Sequence, residues 1–131
     1  VVVGAVIIDA GRVLAARRTT PPDLAGFWEF PGGKMEDNED PRGALEREVR
    51  EELSATIIVG QEVSDAGMGW PISDVYELRL FLASVAAGAL RPGPDHDALS
   101  WLGPDELESV NWLPSDRQAL PEIRAILQCG S

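Results

Sequence analysis

The chain has one cysteine (Cys129), one histidine (His96) and one lysine (Lys34) among 131 residues. A lone thiol cannot close an internal disulfide, which fits a reducing compartment, and one cysteine with one histidine cannot build a zinc centre from those ligands. Long apolar runs are missing too. Val1 to Ile8 is too short to span a bilayer and lacks the basic n-region and cleavage site of a signal peptide, so a soluble cytoplasmic protein is expected. Positive charge is scarce: 11 basic against 22 acidic residues leave a net charge of -11, which disfavours DNA, RNA and anionic membranes as partners. Repeats, low-complexity segments and linkers are absent, and 44% hydrophobic residues are enough for one core. A single domain over 1–131, as a monomer or weak homodimer, is the expected organisation.

What is abundant is carboxylate, concentrated behind a glycine loop in residues 32 to 55. The acidic stretch Glu36 to Asp40 precedes Pro41, which suits a first helical position, and good helix formers follow; the pattern predicts a helix over 41–53. At about 100° per residue, Glu48, Glu51 and Glu52 share one face beside the apolar stripe Leu45, Val49, Leu53. Glu46 and Arg50 project elsewhere. Crowded carboxylates at the edge of a core repel one another unless a cation joins them. Hard oxygen ligands suit Mg²⁺, with Mn²⁺ as a substitute, and Mg²⁺ commonly bridges carboxylates to substrate phosphates. The competing reading is a solvated charged helix laced by pairs such as Arg47 with Glu51.

Around this helix, Val1–Asp9 and Arg12–Arg17 read as a strand hairpin turning at Asp9–Gly11, and Thr19–Gly26 as a loop. Phe27–Phe30 reads as a short strand before a Pro31-Gly32-Gly33 turn. Thr56–Val63 and Val75–Val85 read as paired strands joined by a loop over Gly67–Asp74. Ala98–Leu102 is a further strand, Pro104–Leu107 a helical turn, and a terminal helix runs from Pro114 or Ser115 to about Leu127. Strands alternating with helices predict an α/β fold with a mixed sheet between helical layers.

The spacing Gly33, five residues, Glu39, seven residues, Arg47-Glu48-Val49, one residue, Glu51-Glu52 resembles the Nudix box at six anchors. Chance coincidence at a given register is on the order of 10⁻⁷. Ser54 and Ala55 depart from the box, where a glycine and a bulky aliphatic residue usually stand; a serine forced into a left-handed cap costs roughly 1 kcal/mol. Ala16-Arg17-Arg18, ten residues, then Glu29-Phe30-Pro31-Gly32-Gly33-Lys34 is similar to the MutT branch of that family. The resemblance implies a Nudix-type α/β/α sandwich and metal-assisted attack of water on a nucleoside triphosphate, giving a monophosphate and pyrophosphate. It implies Gly32 as a carbonyl ligand and Glu48, Glu51 and Glu52 as carboxylate ligands, with Glu48 orienting or deprotonating the water. Arg47 and Glu39 would brace the site as an ion pair, and Lys34 would steady the leaving phosphates.

Base choice is carried elsewhere. The resemblance places Arg18 on the nucleotide and Phe30 in the base pocket; exposed strand-end arginine and core packing are the competing readings. Trp70, in a predicted loop before Pro71, fits either base stacking or cover for the sheet end. Asp116 corresponds to an asparagine in 8-oxoguanine-specific MutT enzymes and to an aspartate in CTP pyrophosphohydrolases. An ionised carboxylate only accepts hydrogen bonds, which matches the exocyclic amine of cytosine; a local role on the helix dipole is the alternative. Pro94–Ala98, with His96 and Asp97, lies where Nudix enzymes often add an acid or histidine to the metal site, and Asp97 is the candidate against a solvated loop. Cytidine nucleotides lead; 8-oxo-dGTP, a nucleoside diphosphate linked to another group, and an inactive ligand sensor are the alternatives.

Overall fold

The computed structural model describes residues 1–63, 69–73 and 76–129. A central strand buried on both faces organises it. Along β1 (Val2–Asp9), Val3, Ala5 and Ile7 enter one apolar cluster and Val6 enters another on the opposite face, as the two-residue period of a strand buried on both sides requires. The first cluster is capped by α1 (Pro41–Leu53), whose Ala44, Leu45, Val49 and Leu53 are buried. The second is capped by α3 (Leu120–Cys129) through Leu120, Ile123 and Leu127. The result is an α/β/α sandwich, as expected.

Helix α1 starts where the sequence indicates. Pro41 occupies the first turn, and the Asp40 carboxylate accepts from the Gly43 N–H at 2.9 Å, satisfying one otherwise unpaired donor. It ends at Ser54, held left-handed at φ 60°, ψ 30° with its N–H on the Arg50 carbonyl. The cost of about 1 kcal/mol is small against roughly 1.5–3 kcal/mol for burying each of Leu45, Val49 and Leu53, so the helix keeps its length.

The sheet is mixed. β1 runs parallel to β7 (Glu77–Ala87), which pairs antiparallel with β5 (Thr56–Val63) and with β6 (Trp70–Pro71). The expected pairing of β5 with β7 is present; within the expected Gly67–Asp74 loop, Trp70 and Pro71 instead form β6, because β7 offers them an edge to pair with, while Gly67, Met68, Asp74 and Val75 lie outside the described residues. β1 meets β2 (Arg12–Arg18) only at Ile8↔Val13 and Asp9↔Arg12 and then parts from it. The vacated edge of β1 is taken by β4 (Gly32–Lys34), and β2 is flanked by β3 (Trp28–Glu29) and β8 (His96–Leu102). Residues 29 to 32 therefore cross the split between two strands that began as a hairpin.

Two local expectations are corrected. Gly32–Lys34 is a strand rather than a turn, because the parting of β1 from β2 leaves backbone donors and acceptors on β1 that need partners. The terminal helix is broken into α2 (Pro114–Arg117) and α3, with Pro121 in the first turn of the second piece, where a missing N–H is tolerated.

Ser54→Gly should raise the unfolding free energy by about 1 kcal/mol, measured by urea denaturation, with nucleotide turnover unchanged. A destabilised variant would contradict the strain assigned to the cap.

Candidate active site

The split opens a cleft of about 790 Å³ between α1, β4, the end of β2 and α2. Its lining divides by chemistry. Glu29, Gly32, Gly33, Lys34, Glu48, Glu51, Glu52 and Asp95 make one region polar; Val2, Phe30, Ile72, Leu78 and Leu113 provide apolar surface, with Asp116 set among the lining residues.

Helix periodicity puts the three glutamates on the cleft with unequal exposure: the side chains of Glu48 and Glu52 are 18% and 13% exposed, Glu51 59%. Arg47 ties one side of the group. Its guanidinium grips Glu39 at 2.6 and 2.8 Å, reaches Glu48 at 3.0 Å and Glu51 at 3.3 Å, and donates to the Lys34 carbonyl. The hydrogen bond from Arg47 holds the Glu39 carboxyl down to about 2. The glycine pair of β4 lies against this cluster: a Cβ at Gly33 would come within 2.5 Å of the Glu48 carboxylate, and one at Gly32 would overlap the Val3 carbonyl. Larger residues would close the space between strand and helix.

Glu52 lies beyond the reach of the Arg47 contacts. Burial, reinforced by the charges of Glu29 and Glu48, pushes it up to about 8, and its Oε1 is buried without a hydrogen-bond partner. Burial also raises Glu48. Hard oxygen donors, a partnerless buried carboxylate oxygen and a side-chain-free pair of β4 glycines beside them fit a divalent cation, which would replace the missing positive charge.

Two residues enter that sequence reasoning did not select as site residues. Glu29 Oε2 accepts from Arg18 Nη1 at 2.8 Å and lies 2.9 Å from His96 Nε2. The His96 ring is fully buried, and a carboxylate oxygen of Glu29, one of Glu52 and a ring nitrogen all lie within 4.8 Å of one another. The pairing Arg17↔Ala98 followed by Arg18↔His96 skips Asp97. This bulge turns His96 inward and leaves Asp97 outside, paired with Arg17 at 2.7 Å. Asp97 is thus no part of the cleft. His96 was visible as the sole histidine, but a bulge leaves no mark in the sequence.

At the other end, Asp116 Oδ2 accepts from the Phe30 N–H and Oδ1 from the Ser115 hydroxyl, both at 2.9 Å. Full burial, and then the charge of Glu29, push Asp116 up to about 7. Phe30 is buried against Trp112, ring centroids 4.7 Å apart, and lines the cleft. Arg18 also lines it. Lys34 lies on its rim with Nζ 5.1 Å over the Tyr76 ring. Trp70 does not join them. It is 5% exposed, opposite Leu78 in the sheet and packed in the α3-side core, so its ring covers the sheet and is not available for stacking on a base.

A NUDIX domain model matches residues 1–123. A Mycobacterium tuberculosis protein described as a putative 8-oxo-dGTP diphosphatase 2 is 38% identical over 97% of this chain and 89% of its own length. The CTP pyrophosphohydrolase of Escherichia coli is 36% identical over 95% of this chain and 91% of its own. The solution structure of the E. coli ORF135 protein superposes with a TM-score of 0.79 at 34% identity, covering 98% of this chain and 90% of that one.

Asp116 keeps its proton to about pH 7 in the folded protein, whereas the unfolded chain loses it near its ordinary value of 3.8. The folded state then binds more protons between those limits, so stability falls as pH rises across that window. Asp116→Asn, which keeps the acceptor for Phe30, should make this fall shallower in cation-free protein, the raised Glu52 carboxyl supplying the remainder, read as Tm against pH. An equally steep profile would place the titration elsewhere.

Proposed function

The chain belongs to the NUDIX family of hydrolases, and from that premise we propose that it is a Mg²⁺-dependent nucleoside triphosphate pyrophosphohydrolase. Its substrates are cytidine nucleotides, CTP, dCTP and their 5-methyl forms, cleaved to the monophosphate and pyrophosphate in control of the nucleotide pool. The observation that carries the reading is one cleft holding Glu52, whose buried Oε1 has no hydrogen-bond partner, beside Glu48 and Glu51, together with the buried acceptor Asp116. Net charge of -11 favours a free nucleotide arriving with its cation over a nucleic acid.

Glu48, Glu51, Glu52 and the Gly32 carbonyl would hold Mg²⁺, or Mn²⁺ in its place. When bound, the cation supplies neutralisation of phosphate charge and a more acidic water. The chain's own groups do the rest. Glu48, raised by burial, is suited to orient the attacking water and take its proton. Lys34 steadies the leaving phosphates. Arg47, locked on Glu39, fixes the helix face on which the glutamates stand. Arg18 contacts the nucleotide, Phe30 walls the base, and ionised Asp116 accepts from the cytosine amine.

A second reading is favoured by one observation. A carboxyl held up to about 7 also has a protonated form near neutrality, able to donate to a keto oxygen, as 8-oxo-dGTP would require. The M. tuberculosis relative carries that substrate in its description.

The test is kcat/KM with Mg²⁺ for CTP, dCTP, 5-methyl-dCTP, dGTP and 8-oxo-dGTP, with each phosphate product identified. Cytidines leading with pyrophosphate released is the expected result; 8-oxo-dGTP leading would favour the second reading. The CTP to 8-oxo-dGTP ratio should rise with pH through about 7, as Asp116 ionises, and a flat ratio would remove Asp116 from base reading. Glu52→Gln should abolish turnover in a folded protein; wild-type turnover would remove Glu52 from the mechanism.

A further inference from the structure

Arg18, Glu29, His96 and Glu52 form a line from β2 through β3 and β8 to α1. Arg18 Nη1 and His96 Nε2 both address Glu29 Oε2, at 2.8 and 2.9 Å. On the far side of the ring, His96 Nδ1 stands 3.4 Å from Glu52 Oε2 without a hydrogen bond, and Nδ1 and Glu52 Oε1 are the buried atoms with no partner among the described residues. The imidazole separates two carboxylates that repel each other, and it is fully buried, so water does not do this work.

Arg18 is the important neighbour. Its charge already acts favourably on ionised Glu52, and its guanidinium is committed to Glu29 and to the Thr20 carbonyl. Released from Glu29, Arg18 would have Glu52 as its alternative carboxylate, and an Arg18–Glu52 ion pair would compete with a cation for that group.

We propose that Glu29 and His96 are positioning residues: Glu29 retains Arg18, and the His96 ring wedged between the two carboxylates keeps Glu52 unpaired and turned to the cleft for a divalent cation. This rests on the reading of Glu52 as a cation ligand. The bulge that skips Asp97 is the structural cause, since without it the position facing Arg18 would hold an aspartate, too short and of the wrong charge to separate two glutamates.

The test is Mn²⁺ affinity of the nucleotide-free protein, measured by calorimetry. Glu29→Gln and His96→Leu should each weaken Mn²⁺ binding about tenfold, and adding Arg18→Gln to either should restore most of it, while Arg18→Gln alone leaves it within about twofold. His96→Gln, whose amide can still donate to Glu29, should retain more affinity than His96→Leu. If His96→Leu does not fold, the near-isosteric Glu29→Gln decides alone. Wild-type affinity in folded Glu29→Gln, or a loss that Arg18→Gln does not restore, overturns the proposal. So does a nitrogen coupling to bound Mn²⁺ in pulsed electron paramagnetic resonance, which would make His96 a ligand. Undiminished Mn²⁺ binding by Glu52→Gln overturns the cation reading itself; loss in Glu52→Gln with none in Glu29→Gln overturns only the positioning.

Discussion

Everything at the cleft answers to one electrostatic constraint: Glu29, Glu48 and Glu52 are drawn together at the margin of a core in a chain with twice as many acidic as basic residues. Arg47 neutralises the outer part of the group, with Glu39 as its anchor. Arg18 neutralises Glu29. Glu52 receives no such partner, and the structure tolerates this only with the carboxyl held largely protonated or with a cation supplied from outside. The cation proposed for this site would supply the missing positive charge.

The sheet makes the constraint possible. Were β1 and β2 paired along their whole length, no cleft would lie between α1 and α2. Their separation after two residue pairs gives β4 an edge to occupy, and β4 carries Gly33 against the Glu48 carboxylate and Gly32 against the β1 backbone. The same crossing segment delivers Glu29 to the polar region and the Phe30 N–H to Asp116, 86 residues further along the chain. The carboxylate-rich part of the cleft and the buried Asp116 are thus tied to two adjacent residues.

Much of this was legible in the sequence wherever local periodicity decides the outcome. Helix α1, its start at Pro41, its apolar stripe and the shared face of Glu48, Glu51 and Glu52 follow from local residue pattern and spacing, and the six anchors of the box carried the family. Longer-range pairing was not legible. Gly32–Lys34 has no strand propensity and becomes a strand because β1 offers it an edge. Trp70 looked available for a base because it precedes a proline, yet two ladder pairs with β7 place its ring in the core. His96 and Asp97 differ by one position, and only a bulge decides which faces Arg18.

The most direct measurement is the titration of the Glu52 side-chain carboxyl, followed by carbon NMR in protein labelled at glutamate Cδ, without and with Mg²⁺. The account predicts a midpoint raised to about 8 without the cation and brought below the ordinary 4.5 when Mg²⁺ is present. A Glu52 that titrates at its ordinary value in cation-free protein, or whose midpoint Mg²⁺ does not move, would contradict it.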